Sequence, residues 1–339
     1  MTRALWFLVP AAIDDPAQVS GGNVYDQRLR EGLARLGWRV RTLPVAGAAE
    51  AQAALSAIPP GELVLVDGLV AGWASSEISA VASRMRLVVL AHMVAAAFPD
   101  TGPDTARAER EVLAAADLVI ATSEWTAGEL VRRELVAANA VAVVRPGTSR
   151  AADADKPGAP RTDAELLCVG VIAPHKGHDV LMSALRRLPR HDWRCTLAGS
   201  TTAVPEFAER IAQSAARFDG RIRMPGVLAP PELDRAYRRA GVLVAPSLVE
   251  SFGMAIADAR RRGMPVIASD AGGIRESAAG GGVVLVPPRD PEALAHALWR
   301  WLSVPADRVR LQSAAASARN AVPDWSDTVA RVDRILGAL

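Results

Sequence analysis

The chain has 339 residues, half of them hydrophobic and 22% charged, with 39 basic against 37 acidic residues and a formal net charge of +2. At roughly 150 residues per domain this predicts two domains, each long enough to bury a core, and the composition excludes wholesale disorder. The near-neutral charge gives no footing for a nucleic-acid partner, and no apolar run reaches the roughly 18 residues of a membrane-spanning helix.

The chain opens on an apolar run at residues 5–9. It reads as a buried strand rather than a signal peptide, because a Gly-Gly turn and an amphipathic helix follow at once. That helix is predicted over residues 23–36, with Tyr25, Leu29, Leu33 and Leu36 at helical spacing and Gly37 as the stop. Further apolar runs at 63–66, 87–90, 118–121 and 141–144 alternate with helical segments, the pattern of a parallel sheet covered on both faces. Residues 148–160 carry no apolar period and two prolines, Pro157 and Pro160, and read as a linker. The alternation then restarts, with strands predicted at 166–169, 195–198, 242–245, 266–268 and 283–286 and helices near 178–188, 206–217, 231–239, 254–262 and 291–302. The expectation is an α/β protein with two doubly wound, Rossmann-like domains over residues 1–150 and 161–322. A last segment, 323–339, places Trp325, Val329, Val332, Leu336 and Leu339 on one helical stripe, with Asp324 or Ser326 as N-cap. Cys168 and Cys195 lie inside apolar runs and form neither a disulfide framework nor a metal cluster, so a reducing cytoplasm is the expected compartment.

In open α/β sheets, ligands bind beyond the carboxyl ends of the strands, so the residues following each strand are the candidates for chemistry. Gly21 and Gly22 open the first helix, where glycine lets backbone approach an anion; a plain strand-to-helix turn explains them equally well. The spacing is neither a dinucleotide fingerprint nor a P-loop. His92 follows residues 87–90 and is either a substrate-facing group or a satisfied core histidine. All but two of the basic residues are arginine; the exceptions are Lys156, in the linker, and Lys176, just before a helix start. Lys176 is placed to meet a phosphate group or to be solvated in its loop. After 242–245 comes the densest run, residues 246–258, in which Glu250, Phe252, Gly253, Met254 and Asp258 stand out. From 250 to 258 a regular helix turns about 80° net and rises about 12 Å, which lets both carboxylates address one elongated ligand, with the Gly253 and Met254 amides between them. The bland alternative is a solvated cap and a polar helix face. Gly272 and Gly273 read as a tight strand-to-helix connection.

These residues resemble the retaining glycosyltransferases of the GT-B fold, in the family 4 group. The resemblance covers nearly the whole chain and is strongest from Leu166 to Glu276. It is carried by residues 246–253 followed by 265–273, by Gly170 through Lys176 and Gly177, and by Gly21, Gly22, His92, residues 121–123, Pro146 and Gly147. It implies two domains facing a central cleft, an N-terminal one for the acceptor, a C-terminal one for the donor, and a terminal helix crossing back to the first domain. The implied reaction is hexosyl transfer from a nucleotide-diphosphate sugar, UDP- or GDP-linked, to an unidentified acceptor with anomeric configuration retained. It needs no metal and no cofactor. Catalytic roles fall on His92, Lys176 and Glu250. Donor contacts fall on Gly21, Gly22, Lys176, Glu250, Phe252, Gly253, Met254 and Asp258, with the base held near residues 223–227. Two departures stand out: Val171 occupies the place of a common arginine, leaving His175 as the other basic position, and Asp258 replaces a glutamate.

Competing readings are a nucleotide-sugar epimerase or hydrolase on the same fold and a non-catalytic nucleotide-sugar binder. Arg28, Arg30, Arg35, Arg39 and Arg41 form a basic cluster compatible with a solvated face, an acidic acceptor or peripheral contact with a lipid surface.

Overall fold

A computed structural model describes residues 3–98, 101–149, 161–189 and 192–339. Most of the linker segment, with Lys156, lies outside the described residues. The chain divides into two compact units, one formed by residues up to 15, 21–147 and 325–339, the other by 16–20 and 148–324.

The first unit runs β1 (Ala4–Pro10), α1 (Gly21–Arg35), β2 (Arg39–Val45), α2 (Ala48–Ser56), β3 (Leu63–Asp67), α3 (Gly68–Trp73), α4 (Ser75–Val81), β4 (Arg86–Ala91), α5 (Pro103–Ala115), β5 (Leu118–Ala121), α6 (Glu124–Arg132) and β6 (Val141–Val143). Its strands form one parallel sheet in the order β2-β1-β3-β4-β5-β6. The second unit runs β7 (Thr162–Val169), α7 (His178–Arg187), β8 (Arg194–Ala198), α8 (Pro205–Ala216), β9 (Ile222–Gly226), α9 (Pro230–Arg239), β10 (Ala240–Ala245), α10 (Met254–Arg261), β11 (Val266–Ser269), α11 (Ile274–Ser277), β12 (Val283–Val286), α12 (Pro291–Ser303) and α13 (Pro305–Ala318). Its parallel sheet has the order β12-β11-β10-β7-β8-β9. Apolar clusters fill both faces of each sheet, which is why the inner strands are continuous apolar runs.

The strands absent from the sequence reading are β2 and β9, one edge of each sheet. β2 pairs only with β1 and alternates exposed with half-buried residues, so Arg39 and Arg41 interrupt any apolar run. Helix α13 was missed for a related reason: Ala315 and Ala318 are its buried residues, and alanine draws no apolar stripe. Three arginines of the basic cluster near α1 pair with local carboxylates. Arg30 pairs with Asp14 at 2.8 Å, Arg28 and Arg35 reach Glu31, and Arg41 stacks over Trp6.

The last helix, α14 (Trp325–Gly337), belongs to the first unit and packs on α1. Val329, Val332 and Leu336 are buried among Tyr25, Leu29 and Leu33. Leu339, expected on the same stripe, follows the helix end and is 41% exposed; Ser326 lies inside the helix, leaving Asp324 ahead of it. Close approach is set by Gly32, where a Cβ would fall 2.3 Å from a Val329 methyl. Ordinarily Gly→Ala inside a helix gains roughly 1 kcal/mol. Here a stiff β-branched neighbour turns that gain into overpacking, which costs about 1–3 kcal/mol. Gly32→Ala is therefore expected to lower the unfolding temperature in the wild-type background and to raise it in a Val329→Ala background; the same sign in both would contradict this packing.

Candidate functional site

In the second unit the strand order reverses between β7 and β10: β8 and β9 extend one flank, β11 and β12 the other. The loops leaving β7 and β10 diverge at that point, at the carboxyl edge of the sheet where α/β proteins bind ligands. Both loops carry predicted residues. Beyond β7, Pro174–Lys176 form one 3-10 turn, and Gly177, at φ +67°, caps α7. Gly177 is required twice over, since a Cβ there would also stand 2.0 Å from the Pro246 carbonyl. The loops are joined through the Leu248 amide, which donates to the His175 carbonyl at 2.7 Å.

This junction brings Lys176 and Glu250 together, Nζ to Oε2, at 2.6 Å, with 23% and 16% of their side chains exposed. The Ser247 hydroxyl donates to the same Oε2 at 3.1 Å, while Glu250 Oε1 has no hydrogen-bond partner among the described residues. Gly272 and Gly273 fix the Glu250 backbone from behind. Cβ atoms there would fall 2.1 and 2.0 Å from the carbonyl oxygens of Glu250 and Ser251, and the Gly273 amide donates to Glu250 at 2.8 Å. They are a packing device, the tight connection read from the sequence.

Helix α10 begins after Gly253, at φ +91°, with no side chain capping it and no acidic residue in its first turn. Its N-terminal partial positive charge is thus uncompensated by side chains. The Phe252 ring is buried against Ala257 and Val322 with Met254 beside it, so its backbone is what remains for a ligand. Asp258 lies farther along α10 with its Oδ1 3.7 Å from Arg262, whose guanidinium also reaches Asp234 and covers the Tyr237 ring. Residues 223–226 form most of the edge strand β9.

His175 does not add a second cation. Burial, reinforced by Lys176, pushes it down to about 4, with only partial opposition from Glu250. The fully buried His178 is likewise pushed down to about 4, first by burial and then by Lys176. At neutral pH the charged group of this segment is Lys176 alone.

In the first unit the order reverses between β1 and β3. His92, just beyond β4, lies with its Nε2 2.8 Å from Asp26 Oδ1 on α1 and 3.2 Å from Asp67 Oδ2 at the end of β3. Gly22 abuts the ring, a Cβ there standing 3.2 Å from Cδ2, and Tyr25 meets it edge-on. These ligand-type atoms of Asp26, Asp67 and His92 lie within 4.8 Å of one another, a grouping that could hold a cation, and Nε2 is within hydrogen-bond distance of Asp26. Burial opposes the charge on His92, but Asp26 and Asp67 outweigh it and raise the imidazole to about 10. Burial also raises Asp26, to about 7, against the pull of His92. Burial opposes the charge on Asp67 too, yet His92, Asp26 and the Val70 amide hold its carboxyl below the usual range.

Asp26, Asp67 and Ser247 were not singled out from the sequence. A carboxylate closing a buried strand before a glycine was the available signal for Asp67, and a charge beside the buried Tyr25 was the signal for Asp26.

The family description "Glycosyl transferases group 1" matches residues 149–318. A D-inositol 3-phosphate glycosyltransferase of Streptomyces bingchenggensis is 34% identical over 278 residues, 72% of this chain and 60% of that protein. One of Corynebacterium efficiens is 30% identical over 280 residues, 74% of this chain and 65% of that protein. The matched stretches thus span less than two thirds of these relatives. Among solved structures, sucrose-phosphate synthase from Thermosynechococcus elongatus superposes with TM-score 0.82 at 22% identity, covering 99% of this chain and 98% of that one. Anabaena HepE, solved with UDP and glucose, superposes with TM-score 0.75 at 17% identity, covering 99% of both. These likenesses show the fold, the expected GT-B class.

A histidine held below its ordinary range binds fewer protons folded than unfolded, so its environment costs stability as pH falls from about 6.5 toward 4. Calorimetry from pH 6.5 to 4.5 is expected to show a wild-type loss that exceeds that of His178→Gln by on the order of 2 kcal/mol; parallel curves would contradict the buried neutral imidazole.

Proposed function

The chain belongs to the group 1 glycosyl transferases, and from that premise we propose that it moves a hexosyl group from a nucleotide-diphosphate sugar to an acceptor hydroxyl, retaining anomeric configuration and using no metal. The observation that carries this reading is the Lys176–Glu250 pair at the β7/β10 reversal, beside the uncapped start of α10. In the reaction the anomeric carbon–oxygen bond to the diphosphate breaks, a bond to the acceptor oxygen forms, and the acceptor proton leaves with the diphosphate. The electrostatic demand is negative charge accumulating on the leaving group. Lys176 answers it with ammonium donors, and the Gly253 and Met254 amides with the helix terminus. Glu250 holds sugar hydroxyls through Oε1, the oxygen left unoccupied, and Asp258 takes the ribose. On the acceptor-binding unit we assign Gly21 and Gly22 to donor contacts and His92 to the reacting centre, as the family resemblance implies.

With Val171 apolar and His175 neutral, Lys176 is the cation this segment offers the leaving group. UDP is favoured as the leaving group because HepE was solved with UDP and with UDP-glucose. Inositol phosphates and sugar phosphates head the acceptor panel, following the names of the similar proteins. No described helix is long and apolar enough to cross a membrane. We place the reaction in the cytoplasm because Cys168 and Cys195 are buried free thiols.

Thermal shift against UDP, GDP, ADP and dTDP identifies the nucleotide, since a ligand that binds the native state raises its unfolding temperature. With the matching sugar donor, Lys176→Met is expected to fold normally and to lose about 100- to 1,000-fold in kcat. Wild-type turnover in that variant would refute the role of Lys176. Free sugar or an isomer formed without acceptor would instead indicate a hydrolase or epimerase.

A further inference from the structure

We infer that Asp26 and Asp67 are positioning residues for His92, holding its imidazole with the Nε2–H turned inward so that Nδ1 is the nitrogen presented to a substrate oxygen. The ring nitrogen lies 2.8 Å from Asp26 and 3.2 Å from Asp67, and Asp67, whose carboxyl is held below the usual range, can only accept, so Nε2 itself carries the proton. Asp67 cannot swing away: its other oxygen accepts the amides of Leu69 and Val70 at 2.7 and 3.2 Å, the cap of α3. Asp26 is fully buried inside α1, and its Oδ2 accepts no hydrogen bond from any described residue. A carboxylate in that position does nothing for the helix that carries it, and its described side-chain hydrogen bond at Oδ1 is to His92. Gly22 and Tyr25 close against the ring. Nδ1 has no hydrogen-bond partner among the described residues, and the side chain is 15% exposed.

The charged and titratable groups around the ring are Tyr25, Asp26 and Arg30 on α1 and Asp67 at the end of β3, with Arg30 engaged by Asp14. The paired carboxylates favour the imidazolium, so the outward Nδ1 carries a hydrogen at neutral pH and donates to an anionic or hydroxyl oxygen. The catalytic consequence rests on the reading above, in which His92 lines the reacting centre. The clamp itself does not.

The test is long-range proton–nitrogen NMR of the 15N-labelled full chain at pH 7.5, with His92 assigned by His92→Gln. The wild type is expected to show both ring nitrogens protonated, and Asp67→Asn is expected to shift His92 toward a neutral ring. Asp26→Asn should do the same where circular dichroism shows it folded. In turnover, Asp67→Asn is expected to lower kcat by about 100-fold, with donor KM within about twofold, and to add no further loss in the His92→Gln background. A wild-type ring with unprotonated Nε2 overturns the inference. So do His92 signals unchanged in Asp67→Asn, or signals displaced by one equivalent of Zn2+, which would make Nε2 a ligand rather than a donor. A chain that transfers no sugar but shows the doubly protonated ring keeps the clamp and removes only its catalytic consequence.

Discussion

Parallel pairing makes every strand of a sheet discharge its chain at the same edge, and a right-handed crossover lets the order reverse once as the sheet grows to both sides of its first strand. In each unit that reversal stands beside the unit's first strand, β1 or β7. Neighbouring loops are driven apart there, exposing strand ends and helix starts that elsewhere in the sheet are covered. Lys176, Glu250 and the start of α10 occupy one such edge, and Gly22, Asp67 and His92 the other. The divergence is bounded by backbone contacts that no side chain could survive, at Gly177 against Pro246 and at Gly272 against Glu250.

The two edges handle charge in opposite ways. Beyond β7 the protein removes cations: His175 and His178 are kept neutral by burial and by Lys176, so one ammonium stands opposite one carboxylate. Stability alone gives little reason for such a pair. Exposed pairs contribute about 0–1 kcal/mol, and more buried ones rarely recover their desolvation. Beyond β4 a histidine that burial would neutralise is instead held charged by two carboxylates, one of them deep inside α1. Unpaired, each of those acids would be costly at that depth.

Sequence patterning made the sheet interiors legible because strands such as β3, buried on both faces, are uninterrupted apolar runs. One edge of each sheet escaped it: β2 and β9 expose alternate residues, and arginine breaks their pattern. For the site, residue types and positions pointed to Lys176, Glu250 and His92, since charge beyond a strand end is unusual in itself. What spacing cannot show is which distant groups converge. Asp26 and His92 are 66 positions apart and Lys176 and Glu250 are 74 apart, and only the order of strands makes them neighbours. Ser247, three residues before Glu250 in a loop of mixed polarity, carried no distinguishing signal.

Helix α14 makes the first unit discontinuous: its core contains Val329, Val332 and Leu336, contributed after all of the second unit. On the ribosome, β1 through β6 emerge early yet must wait with the apolar groove beside α1 unfilled, while the second unit, which ends at Asp324, is complete before α14 is released. The N-terminal half would then depend on a chaperone, or on its own marginal cohesion, until the final helix is released. A nascent chain stalled before residue 325 would present that groove to solvent as an aggregation-prone surface.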